Sequence, residues 1–123
     1  MHIFLIVVLL FATSSAWAEW VDYEESDASV FYLDPTTIRK SGNFRRVWAL
    51  KEDKQARVAG VVSRVGLYEY DCGGERVRLL SLSGHSGSMG KGKVVFTHTE
   101  VSEWDYIAPR TVGAAALKLV CAP

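Results

Sequence analysis

Ile3 to Ala12 (IFLIVVLLFA) is an unbroken apolar run, and it constrains the rest of the chain more than any other feature. Polar Thr13-Ser14-Ser15 follows it, and then Ala16-Trp17-Ala18. An apolar stretch, a polar break and an A-x-A site make the pattern of a secretory signal peptide. Cleavage is expected between Ala18 and Glu19, which divides the chain into a leader, 1–18, and one domain, 19–123. The run is too short for a membrane anchor, because ten helical residues rise only ~15 Å, about half a bilayer core. No cysteine stands near the cleavage site to accept a lipid. The expected product is periplasmic or secreted, with neither transmembrane segment nor lipid anchor.

Export decides how the cysteines are read. Cys72 and Cys121 are the only two in the chain. Oxidising compartments preserve disulfides, and the C-x-x-C spacing of a redox pair is missing. One structural bridge is therefore expected. Closing a loop of about 50 residues stabilises by roughly 4 kcal/mol in the chain-entropy model, against a total of about 5–15 kcal/mol for a domain.

Strand signals dominate the remainder. Trp20 to Glu24 alternates weakly, and Ser29 to Leu33 is β-branched and aromatic. Asp34-Pro35 reads as an N-cap followed by proline at the first position of a short helical turn. A strand over Phe44 to Lys51 places Phe44, Arg46, Trp48 and Leu50 on one face, and Arg45, Val47, Ala49 and Lys51 on the other. Val61 to Cys72 and Arg76 to Ser83 flank Gly73-Gly74 as a hairpin, with Tyr68 and Tyr70 on one face. Ser83 to Gly92 reads as a mobile loop, and Lys93 to Thr99 as a further strand. Pro109 to Val120 reads as a helix with Pro109 at its first position. The fold class is therefore α+β: an antiparallel sheet of about six strands with one C-terminal helix packed on it and a single disulfide.

Catalytic and cofactor motifs fail at specific positions. In the glycine-rich stretch, Gly90-Lys91 is followed by Gly92, and His85 occupies the earlier glycine position of a phosphate loop. Gly84-His85-Ser86-Gly87-Ser88 has serine where a nucleophile elbow needs glycine. His85 and His98 lack the spaced partners of a metal site. No catalytic, cofactor-binding or metal-ligating residue is assigned, and an enzyme is not expected.

Charge is balanced, 14 Lys+Arg against 14 Asp+Glu, which argues against a nucleic-acid binder or a polybasic membrane-surface protein. Its order is uneven. Residues 19–34 hold Glu19, Asp22, Glu24, Glu25, Asp27 and Asp34 and no base, whereas 35–64 hold eight bases and two acids. Two readings stay open. Adjacent strands bring the opposite charges together, or Arg39, Lys40, Arg45, Arg46, Arg57 and Arg64 form a basic face for an anionic polymer or an acidic patch on another protein.

The ordered set of motifs resembles the surface-adhesin E family of Gram-negative bacteria. Trp20, Phe31-Tyr32-Leu33-Asp34-Pro35-Thr36-Thr37-Ile38 and Val47-Trp48-Ala49-Leu50 are similar to its first half. Tyr70-Asp71-Cys72 with Arg76 and Arg78 is similar to its central strand pair. Met89-Gly90-Lys91-Gly92, Trp104, Ala108-Pro109 and Cys121 are similar to its second half. The resemblance implies the same sheet, helix and Cys72–Cys121 bridge. It also implies a cell-envelope protein that binds host matrix and serum proteins; the founding adhesin is lipid-anchored, and this sequence departs from it there. The leading expectation is an exported, non-enzymatic binding module with a matrix or envelope protein as partner. The alternative is a soluble periplasmic module for a small ligand or an envelope partner. A homodimer is compatible with both.

Overall fold

The computed structural model describes residues 3, 6, 18–55 and 60–123. The expected leader lies almost wholly outside the described residues, and so does Arg57. The strands are β1 (Val21–Glu25), β2 (Ser29–Leu33), β3 (Arg39–Ser41), β4 (Phe44–Asp53), β5 (Ser63–Asp71), β6 (Arg76–His85), β7 (Val94–His98) and β8 (Asp105–Tyr106), followed by helix α1 (Val112–Val120).

All pairings are antiparallel, in the order β1-β2-β4-β5-β6-β7. Both outer edges of the central three strands are shared. β2 pairs with residues 49–53 of β4 and β3 with residues 44–46. β7 pairs with residues 82–85 of β6 and β8 with residues 76–77. The break between β2 and β3 has a local cause. Pro35 carries no N–H for a ladder, and the Asp34 carboxylate accepts from Thr36 N at 3.0 Å, turning Pro35–Thr37 into one turn of 3-10 helix. β3 and β8 add to the expected strands; with three and two residues they are too short to carry an alternation.

One face of the sheet packs on α1. Leu33, Val47, Ala49 and Tyr70 form its core with Ala116 and Val120. Only those two helix residues are fully buried, and nine residues are too few to hold a helix in water unaided. The Cys72–Cys121 disulfide, with Cα atoms 5.7 Å apart, joins the residue after β5 to the C-cap of α1. The helix starts later than the sequence suggests. Arg110 has φ +61°, outside the helical region, and Thr111 is the N-cap, its Oγ1 accepting from Ala114 N at 3.2 Å. Pro109 therefore precedes the cap instead of opening the helix.

Alternation along β4 holds from Phe44 to Ala49 and fails at Leu50, which is buried on the second face. The cause is the serine–glycine stretch expected to be a mobile loop. β6 runs on to His85, and a 3-10 turn at Ser88–Gly90 folds back over the sheet. Ser63 Oγ, fully buried, donates to Gly87 O at 2.6 Å and accepts from Gly90 N at 2.9 Å. The Glu52 carboxylate accepts from Met89 N at 2.8 Å and from Ser88 Oγ. Gly90, at φ +74°, approaches so closely that a Cβ there would stand 2.9 Å from Val65 Cγ2. The small residues that suggest mobility serve here for close approach and for hydrogen bonding.

Candidate functional site

Strand register builds a row of charges on the face away from α1. Arg46 stands opposite Glu69, and Glu69 opposite Arg78. Partners across a ladder point to the same side, so one carboxylate sits between two guanidinium groups. Glu69 Oε2 accepts from Arg46 Nε at 3.0 Å, and Oε1 accepts from Arg78 Nε at 2.8 Å and Nη2 at 2.6 Å. Two residues along, Asp71 faces Arg76 and accepts from its Nε at 2.8 Å and from Gly74 N at 3.0 Å.

Trp104 covers this row. Its ring centroid lies 4.6 Å from the Arg76 guanidinium carbon and 4.4 Å from that of Arg78, and the ring stacks on Phe44 at 5.7 Å. Ser102 anchors the segment that carries it: Ser102 N donates to Leu79 O and Ser102 Oγ accepts from Leu79 N, both at 2.9 Å. A tryptophan face attracts guanidinium through the ring quadrupole, so the two arginines are held from above by Trp104 and from the side by carboxylates.

Burial pushes the Glu69 carboxyl upward, but the hydrogen bonds from Arg46 and Arg78 outweigh it and hold the group below its ordinary value. Asp71 is also held low, first by the Arg76 hydrogen bond and then by Gly74 N–H. Both are anionic at neutral pH. Arg39, which faces Arg46 across the β3–β4 ladder, extends the row. Its Nη1 donates to the carbonyls of Thr36 and Ile38, and it forms no ion pair among the described residues. The row therefore carries four guanidinium groups against two carboxylates. A shallow cleft of about 330 Å³ lies among Arg39, Phe44, Arg46 and Glu69, at the edge formed by β3. Trp48 shares the face and is 38% exposed, as is Phe44. Arginine and tryptophan are the residues that dominate protein-binding hot spots, and fixed guanidinium forks suit carboxylates.

The residues expected to form one basic face are divided by the pleat. Arg39 and Arg46 lie on this face. Lys40 pairs with Arg45 and Arg45 with Tyr70, which places them on the α1 side. Arg64 is on that side too, its Nη1 3.0 Å from Asp53 Oδ2. Nor do the acidic and basic segments neutralise each other broadly: among the described residues a single ion pair joins them, Lys54 Nζ to Glu25 Oε1 at 2.7 Å. Arg76, Arg78 and Trp104 enter the sequence reading only through the family resemblance, and not as binding residues. The signal for the arginines is the hairpin itself, because a turn at Gly73-Gly74 sets Glu69 and Asp71 opposite Arg78 and Arg76. Nothing local marks Trp104, which arrives by a loop.

Two features bear on other chemistry. His85 Nε2 lies 2.7 Å from Ser83 Oγ, and no carboxylate orients the ring among the described residues. Among the described residues no group of three or more His, Cys, Asp and Glu is placed to hold a metal ion, and no helix is long and apolar enough to cross a membrane.

Comparison with known proteins adds the following. Residues 20–122 match the family model described as surface-adhesin protein E. No curated protein sequence matches. Among solved structures, the chain is similar to Haemophilus influenzae protein E in crystal form II, with a TM-score of 0.62 at 13% identity over 80% of this chain and 91% of that one. It is similar as well to protein E from non-typeable Haemophilus influenzae, with a TM-score of 0.59 at 10% identity over 88% of this chain and 78% of that one. At such identities the structural likeness speaks for the fold.

Proposed function

The chain belongs to the surface-adhesin protein E family, and from that membership we propose that it is an exported binding module that holds a protein partner on its arginine–tryptophan face and performs no chemistry. The observation that carries this reading is the Trp104 clamp on Arg76 and Arg78. Free arginines lose side-chain entropy when they bind, whereas fixed ones present their charge at lower cost. An acidic patch on an extracellular or envelope protein is the complementary surface. Of the residues expected from sequence to be basic contacts, Arg39 and Arg46 belong to the proposed face. Export is supported by the leader pattern in residues 1–18, with Ala18 and Glu19 flanking the proposed cut.

Solid-phase binding of the exported protein to laminin, vitronectin and plasminogen tests the reading. Saturable binding to at least one, weakened by salt and by Arg78→Ala, is expected. The absence of saturable binding to all three would count decisively against a matrix or serum partner. Fractionation of cells, with N-terminal sequencing of the product, tests export; a product beginning at Met1 in the cytoplasm would overturn it.

A further inference from the structure

The α1 side of the sheet is not fully covered. A cleft of about 380 Å³ lies between the N-terminal end of α1 and the sheet, lined by residues from β1, β2, β4, β5 and β6. Its origin is legible in the register. Ala49 stands opposite Gly66, so the two smallest side chains adjoin at the centre of the sheet, between Leu33 and Leu82 in the same row. The short helix places only Ala116 and Val120 deep in the core. A Cβ at Gly66 would stand 2.8 Å from Tyr68 Cε2, so the ring of Tyr68 has moved into part of the space a side chain would take.

The lining has a distinct chemistry. Tyr23, Phe31, Tyr68 and Tyr70 give it an aromatic wall, and Lys51 and Arg64, register partners on β4 and β5, are its only charged residues among those described. Among the described residues no carboxylate lines it. Arg64 is neutralised by Asp53 at 3.0 Å. Lys51 is not: its Nζ sits 5.8 Å from the Phe31 ring centroid, and among the described residues it forms no ion pair. Tyr70 is only 5% exposed and lines the cleft. Burial raises the Tyr23 hydroxyl to about 12 and raises Tyr68 and Tyr70 as well, so all three keep their protons and can donate.

We propose that this cleft binds a free amphiphilic monoanion, a carboxylate on a single unbranched alkyl chain of medium length, with its head at Lys51 and its tail along the tyrosine wall. An unneutralised cation, protonated tyrosine hydroxyls and an apolar wall complement such a molecule and no cationic one. The volume lies near the lower end of the usual range for small-ligand sites, which suits one chain and excludes a two-chain lipid. The proposal is independent of the adhesive face on the other side of the sheet.

Calorimetric titration of the purified protein with octanoate, decanoate and dodecanoate provides the test. One site is expected, with affinity rising about fourfold per methylene until the cleft is filled. Decanol and decyltrimethylammonium should bind at least tenfold more weakly than decanoate. Lys51→Gln should weaken decanoate at least fivefold and leave decanol unchanged, while Lys93→Gln, exposed just before β7, should change neither. Equal binding of decanoate and decanol, insensitivity to Lys51→Gln, or no saturable binding would each overturn the proposal. Capture by phosphatidylglycerol vesicles in place of free decanoate would overturn the single-chain ligand.

Discussion

Trp104 lies with its ring centroid 4.4 Å from the Arg78 guanidinium carbon, and the same guanidinium is held by Glu69 at 2.6 Å. The two contacts act at right angles in function. Glu69 fixes where Arg78 stands on the sheet, and Trp104 limits how far its charge can swing away from it. The arrangement needs residues from three places: β5, β6 and the loop before β8.

Trp104→Ala should therefore weaken partner binding more than it weakens the fold. The ring is partly exposed and its loop stays pinned through Ser102 and Leu79. A loss of about 1–2 kcal/mol in stability is expected from the stacking and cation–π contacts. Binding to the protein partner should fall tenfold or more. Chemical denaturation and solid-phase binding of the same preparation separate the two effects; equal binding by the variant would show that Arg76 and Arg78 need no clamp.

Glu69→Gln should expose the electrostatic share of the same cluster. The Glu69 carboxyl is depressed in the folded protein, so its contribution is complete above the unfolded value of about 4.3 and is lost as pH falls through the folded value. At pH 7 the variant should be less stable by about 1–2 kcal/mol, since Arg46 and Arg78 keep partial access to water. The gap should narrow steadily below about pH 4. Urea unfolding of both proteins between pH 3 and 7 measures it. A gap that stays constant over that range would show that the loss does not come from the carboxylate's charge.

Much of this architecture is legible in the sequence. Asp34-Pro35 carries the cap and the turn, the runs at 29–33 and 44–51 carry their strands, and the two cysteines, behind a leader pattern, leave one bridge to make. What escaped was set by contacts distant in sequence. Leu50 reads as half of an alternation until Gly90 closes on it. Ser63, Ser88 and Gly87 read as loop and strand filler until Ser63 and Glu52 bind the turn. The basic face failed for a simpler reason. A segment's net charge takes no account of the strand's alternation, which sends Lys40 and Arg45 to the opposite face from Arg39 and Arg46.

Ser63→Ala should release the Ser88–Gly90 turn. The hydroxyl satisfies one carbonyl and one N–H at once, and an alanine leaves both without a partner in a site where the residue is fully buried. A loss of about 2–4 kcal/mol is expected, from about 1–3 kcal/mol for each group in part regained by water. Amide hydrogen exchange at Gly90 and Met89 should accelerate while β5 stays protected. Unchanged protection at Gly90 would mean that Glu52 alone holds the turn.

Cys72→Ser should cost most, because the bridge acts on both the unfolded chain and the helix. Residues 72 and 121 are separated by 49 positions, and freeing that loop in the unfolded state costs roughly 4 kcal/mol. In the folded state α1 has only Ala116 and Val120 fully buried to hold it to the sheet. At about 4–8 °C per kcal/mol for a domain of this size, the midpoint should fall by about 15–30 °C. Cys121→Ser should behave alike, and the double variant should be no worse than either single one, since all three remove the same bond. Helical circular dichroism should be lost before sheet signal as the single variants are heated. A double variant much less stable than the single ones would show that the two side chains contribute by packing and not by their bond.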